Sequence, residues 1–96
     1  MSDLAFSWDD RKAVENLRKH KVSFEEAVTA FFDENARLMH DSDHSADEDR
    51  IVLLGLSAKL RVPVVCHCYR RSESEIRVIS ARKAVKRERR QYESFL

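Results

Sequence analysis

Glycine and proline are almost missing from this chain, with one of each in 96 residues. That scarcity excludes a flexible Gly-rich or stiff Pro-rich linker, so one element-dense domain is expected over residues 1–96. It also excludes the glycine-rich loops that cradle nucleotide phosphates. With no G-x-S-x-G or H-E-x-x-H present, nucleotide hydrolysis, serine hydrolase and metalloprotease chemistry have no support. Cysteine is scarce too. Cys66 and Cys68 are two apart in an apparent strand, point the same way and are too constrained to close a useful disulfide loop, so reduced thiols are expected. No run approaches the ~18 apolar residues of a membrane span. The start, MSDLAFSWDD, lacks a basic stretch followed by an apolar one, so neither a signal peptide nor a span is expected and the cytoplasm is the expected compartment. A chain of this length buries roughly 60 to 65% of its unfolded surface, enough to fold without a disulfide or metal.

Metal sites fail on spacing. DSDHSADEDRIV, residues 41–52, looks like a calcium loop, but Ala46 stands where the sharp turn needs Gly and Val52 where the bidentate Glu belongs. His40, His44, Cys66, His67 and Cys68 suggest zinc, yet the C-H-C order puts His67 on the strand face opposite the two thiols. No cofactor or metal is expected.

What the chain does have is charge, unevenly placed. Residues 1–50 hold 7 Lys/Arg against 13 Asp/Glu, a net −6, while residues 51–96 hold 11 against 4, a net +7. Such blocks either neutralise one another in the fold or leave a basic surface that attracts polyanions. Between Ile76 and Tyr92 an apolar run turns into seven basic residues opposed by one acid.

Periodicity gives an α+β architecture. Asp9 or Asp10 can cap a helix to about Lys19 with Ala13, Val14 and Leu17 inward. Ser23 and Glu26 form an S-x-x-E capping box for a second helix, whose Phe24, Ala27, Val28, Phe31 and Phe32 make one apolar stripe. The segments Ala36 to His40, Ile51 to Ser57, Val62 to Arg70 and Glu75 to Ser80 read as an antiparallel meander of about four strands, with LAFSW a possible further strand. A final helix is expected from about Ala81. On a helical wheel Arg82, Lys83, Lys86, Arg87, Arg89 and Arg90 share an arc of about 160°. Val85, Glu88 and Tyr92 turn inward, so Glu88 should pair with a basic residue of the sheet or be held neutral.

With Ser80 as its cap, that helix would open on Arg82, Lys83 and Lys86, the reverse of what a helix dipole prefers. A bound phosphate or carboxylate would relieve the repulsion, with Arg70, Arg71 and Arg77 on the neighbouring strand and Lys59 and Arg61 in the turn before it adding charge. A simply solvated basic face is the plainer alternative.

The residues Phe6, Trp8, Asp9, Lys12, Asn16, Lys19-His20, Val22-Ser23-Phe24-Glu25-Glu26-Ala27 and Phe32-Asp33, followed by Asp41, His44-Ser45, Glu48, Arg50, Gly55 and Ser57, occur in the order of a known family. So does Ile76-Arg77-Val78-Ile79-Ser80-Ala81-Arg82-Lys83-Ala84 with Glu88-Arg89 and Tyr92. Over nearly its whole length the chain resembles the BrnT family. Lys21 departs from the pattern, standing where the family usually carries Gly, the residue a left-handed helix cap favours. The resemblance implies a RelE-like fold and a ribonuclease toxin of a type II toxin–antitoxin module. It implies metal-independent cleavage, in which the ribose 2′-hydroxyl attacks the adjacent phosphate and the 5′-oxygen leaves.

In that frame Arg82, in the ISAR motif, is the first candidate for stabilising the transition state, with Arg61 and Arg70 as further phosphate clamps. His67 is either a general acid or base or a histidine packed on the sheet. Lys59, Arg77, Lys83, Lys86 and Arg90 would bind RNA phosphates without selecting sequence. Trp8 and Phe24 serve packing, and an exposed Trp8 would be able to stack a base. The implied partner is a small antitoxin, BrnA-like and of the ribbon-helix-helix DNA-binding kind, covering the basic face with acidic residues. A noncatalytic nucleic-acid-binding module would use the same face, although Glu25, Glu26, Asp33 and Glu34 on the second helix would repel a duplex.

Overall fold

Asp9 starts the helical part of the chain by accepting hydrogen bonds from the N–H groups of Arg11 and Lys12 at 2.9 and 3.1 Å. These bonds, that from Lys12 above all, hold its carboxyl below the usual range. The helix they cap, α1 (Asp10–His20), carries Arg18, Lys19 and His20 in its last turn, where cations complement the dipole. It ends on Lys21 at φ 62°, a left-handed cap whose N–H bonds to Leu17 O. The turn is thus kept with lysine in place of glycine, at the cost of strain. The computed structural model describes residues 4–40, 50–70, 74–94 and 96. The calcium-like loop up to Asp49, together with His44, Glu48 and Arg71, lies outside the described residues.

The inward face of α1 is not the expected one. Val14 and Leu17 are 69% and 48% exposed, and Asn16 is buried beside the half-buried Ala13. The Asn16 amide donates to Val22 O and Ala81 O at 2.9 and 2.8 Å and accepts from Ala81 N at 3.1 Å. One side chain so ties the helix, the turn after it and the sheet, a buried polar group with its partners in place. The next helix, α2 (Phe24–Ala30), starts at Ser23, whose hydroxyl accepts from Glu26 N at 2.9 Å. Phe24 and Ala27 are buried as the stripe predicts and Ala30 is buried as well, whereas Phe32 is 64% exposed because the helix has ended.

Five strands follow the expected segments: β1 (Ala5–Ser7), β2 (Arg37–His40), β3 (Ile51–Leu54), β4 (Pro63–Arg70) and β5 (Glu75–Lys83). They form one mixed sheet in the order β1-β5-β4-β3-β2. The antiparallel meander is present from β2 to β5, and β1 adds a parallel edge strand beside β5, so the sheet is not purely antiparallel. The single glycine, Gly55, follows β3 where the chain passes under α2, and a Cβ there would sit 2.6 Å from Ala30 O.

The largest departure lies at the C-terminal end. Ala81, Arg82 and Lys83 are strand, opposite Val65, Val64 and Pro63 of β4, rather than the start of a helix. Local propensity favours a helix over Ala81 to Ala84, but the ladder to β4 and the Asn16 bonds to Ala81 override it. The helix begins later, as α3 (Lys86–Glu93), with Glu88 accepting from Val85 N at 2.9 Å. Tyr92 is buried as expected, while Val85 is 52% exposed.

Two apolar layers result. On one face of the sheet Val22, Phe24, Ala27 and Ala30 pack with Leu53, Val65, Val78 and Ala81, supported by Phe6, Trp8 and Phe31. Trp8 meets Phe24 edge-on at 5.8 Å, so it serves packing. On the other face Tyr92 of α3 packs with Leu54 and Val64, with Met39, Val52, Val62 and Ala84 against them.

Candidate nucleic-acid interface

Cross-strand pairing places the cations. Arg82 opposes Val64, Ser80 opposes Cys66, Arg77 opposes Cys68 and Glu75 opposes Arg70. Since alternate residues of β4 share a face, Arg77, Ser80 and Arg82 lie on the side of Val64, Cys66 and Cys68, away from α1 and α2. A bulge between Cys66 and His67 keeps this alignment by leaving Ile79 without an opposite residue. By the same register Arg37, opposite Leu54, joins this face from the edge strand β2. This face displays exposed Ser80, Arg82 and Arg70, with Cys66, Cys68 and Arg77 half-buried.

Arg82 is the best-defined of these groups. Its Nη1 and Nη2 donate to the two Glu88 oxygens at 2.8 Å each, and Nη1 also reaches Lys83 O at 3.3 Å. This bidentate pair fixes the plane of a guanidinium that is 44% exposed, against 14% for Glu88. The hydrogen bonds from Arg82 hold the Glu88 carboxyl below its usual range despite partial burial. Glu88 therefore has the sheet partner its position called for, and it is ionised at neutral pH. Arg82 stands on β5 rather than within the last helix, and its guanidinium meets the first turn of α3 through Glu88. Lys83 is exposed at the end of β5, and Lys86 and Arg90 are exposed on α3, with Arg89 between them.

The other expected members separate. Arg70 opposes Glu75, six residues along β4 from the position facing Arg82, which puts about 20 Å between them. They cannot clamp one phosphate. Arg77 lies between, close enough to Asp9 to help lower its carboxyl. Arg61 turns to the opposite layer: its Nε and Nη2 donate to Glu26 at 2.7 and 2.6 Å, and Nη2 also donates to Lys21 O at 2.6 Å. Glu26 is 4% exposed and accepts a further bond from Ser57 Oγ at 2.7 Å. Hydrogen bonding by Arg61 keeps this buried carboxyl ionised and low. Arg61 is thus a structural cation rather than a phosphate clamp, and Lys59 alone of that turn projects as an exposed charge.

His67 is fully buried on the helix side of the sheet, edge-on to Phe31 and Tyr69 at 4.8 and 5.5 Å. Its Nδ1 lies 3.2 Å from Val65 O, its Nε2 has no partner, and burial pushes its pKa down. A ring with no route to solvent cannot exchange protons with a phosphodiester, so the packed-histidine alternative holds.

Sequence reasoning missed Arg37, the Asn16 clamp, the Glu26–Arg61 pair and the bond from Tyr92 Oη to Asp33. The S-x-x-E pattern disguised Glu26 as a capping residue. Nothing local marked the rest, whose partners come from distant elements.

The protein is a small α+β domain with a five-stranded mixed sheet, one face buried under two helices and the other carrying arginines. Residues 8–88 match the model of a family described as the ribonuclease toxin, BrnT, of type II toxin–antitoxin systems, and the chain belongs to that family. The crystal structure of the Brucella abortus ribonuclease toxin BrnT shares the fold at a TM-score of 0.66 and 21% identity, covering 86% of this chain and 99% of that one. No curated protein matches the chain.

Proposed function

We propose that this protein is an endoribonuclease that cleaves RNA on the open sheet face without a metal ion, and that a BrnA-like antitoxin of the ribbon-helix-helix kind neutralises it. The observation that carries this reading is the family match across residues 8–88. RNA lies along the cationic face from Arg70 past Arg77 to Arg82. The ribose 2′-oxygen bonds to phosphorus, the bond from phosphorus to the 5′-oxygen breaks, and a 2′,3′-cyclic phosphate and a 5′-hydroxyl result. The proton leaving the 2′-hydroxyl and the one gained by the 5′-oxygen are exchanged with water. Arg82 stabilises the charge that builds on the phosphate oxygens. Glu88 is its positioning residue, since the bidentate pair sets the guanidinium plane. Lys83, Lys86 and Arg90 hold flanking phosphates, as do Arg77 and the more distant Lys59. In the proposed mechanism arginine and lysine compensate the phosphate charge. The protein acts in the cytoplasm, as membership of a toxin–antitoxin family implies.

Arg82→Ala tests the assignment. Cleavage of a single-stranded RNA by the purified protein, in excess chelator, should fall by about 100-fold or more. Far-UV circular dichroism should stay unchanged, because Arg82 is exposed. A variant as active as the parent, or a parent inactive until a divalent metal is added, would overturn the mechanism.

A further inference from the structure

Between α3 and the turn joining β3 to β4 runs a groove of about 480 Å³, whose apolar wall is built from Leu56, Leu60 and Leu96. These leucines are 38%, 81% and 70% exposed. Single exposed apolar residues are ordinary, but several lining one groove mark a contact surface. Leu60 is the clearest. It sits at φ 63° in a turn closed by Leu60 N to Ser57 O at 2.9 Å and Ser57 N to Arg61 O at 2.8 Å. That backbone region favours glycine or asparagine. The chain instead holds a large apolar side chain there and points it into water, which gains nothing for the isolated domain.

The groove is also preformed. Leu56 N donates to Asp33 at 2.8 Å and Ala58 N to Thr29 Oγ1 at 2.9 Å, which pins the turn to α2 and to the segment just after it. The opposite wall belongs to α3, held by Tyr92 and its bond to Asp33. An occupant therefore meets a set surface with little ordering cost.

Charge names the occupant. Arg89 and Glu93 line the groove and also an adjoining shallow hollow with Lys86 and Arg90, so the leucines run directly into three cations opposed by one acid. RNA would satisfy the cations but has no aliphatic surface for the leucines. A protein segment with apolar side chains along one edge and acidic residues along the other satisfies both. We infer that this leucine groove and the adjoining cations of α3 are the docking site of the module's protein antitoxin, which inserts aliphatic side chains beside Leu60 and sets acids over Lys86, Arg89 and Arg90. The inference rests on the family reading for the existence of that antitoxin. It relocates the anchor from the open sheet face to the outer flank of α3.

The test uses the full chain and the antitoxin encoded in the adjacent reading frame, with affinity measured by calorimetry at fixed salt. Leu60→Glu should raise Kd about tenfold or more. Leu60→Gly, which removes the anchor while relieving the backbone, should weaken binding too and melt no lower than the parent. RNA cleavage by either variant without antitoxin should match the parent. Unchanged antitoxin affinity would overturn the proposal, as would a variant that loses self-association or RNA binding instead. If the parent protein fails to cleave RNA, the ribonuclease reading falls, while the affinity comparison still decides the docking site.

Discussion

Arg61→Ala asks whether the turn before β4 is held by a buried ion pair. The substitution deletes both hydrogen bonds from the guanidinium to Glu26 and the one to Lys21 O. Glu26, whose side chain is 2% exposed, is left with Ser57 Oγ as its one remaining side-chain donor. Removing one partner of a buried pair typically costs 3 to 5 kcal/mol. The Arg61 side chain is 32% exposed, so water can enter the gap and the low end applies, about 3 kcal/mol. In a domain of this size that lowers the melting temperature by about 15 °C, read by circular dichroism at pH 7. Because Arg61 depresses the Glu26 pKa, the stability it confers is present above the ordinary carboxyl value and lost as pH falls through the folded one. The gap between variant and parent should therefore narrow toward pH 4. Glu26→Leu combined with Arg61→Met should recover at least half the loss, since an apolar pair leaves no orphaned charge. An Arg61→Ala protein melting within about 3 °C of the parent, or a double variant no better than the single one, would refute the reasoning.

The remaining predictions follow from single sites. His67, buried with its pKa pushed down, binds a proton more readily when unfolded; stability should be full above about pH 6.5 and decline as pH falls below it, and His67→Phe should flatten the melting temperature between pH 7 and 5.5. Lys21→Gly should raise the melting temperature by about 5 °C, because φ 62° costs a side-chain-bearing residue about 1 kcal/mol. Gly55→Ala should destabilise by about 1 to 3 kcal/mol in a denaturant titration, since its Cβ would meet the Ala30 carbonyl at 2.6 Å.

Local chemistry alone marked much of the fold. Asp9 and Ser23 cap their helices through bonds reaching two or three residues ahead, and the β-branched runs become strands because alternation and turn residues act within a few positions. Even the need of Glu88 for a sheet cation followed from a lone acid turned inward on a basic helix. Tertiary structure decided the rest. Pairing with β4 drew Ala81 to Lys83 out of the last helix and put Arg82 on the sheet, because a ladder partner adjacent in space outweighs a propensity of a few tenths of a kcal/mol per residue. The same pairing separated Arg70 from Arg82, which had been expected to clamp one phosphate together. Burial, which depends on what packs opposite, turned Glu26 from a cap into half of an ion pair and His67 from a candidate base into core. Sequence thus determined which elements form and that the chain carries a basic surface, while only the assembled sheet determined which of those cations share a face.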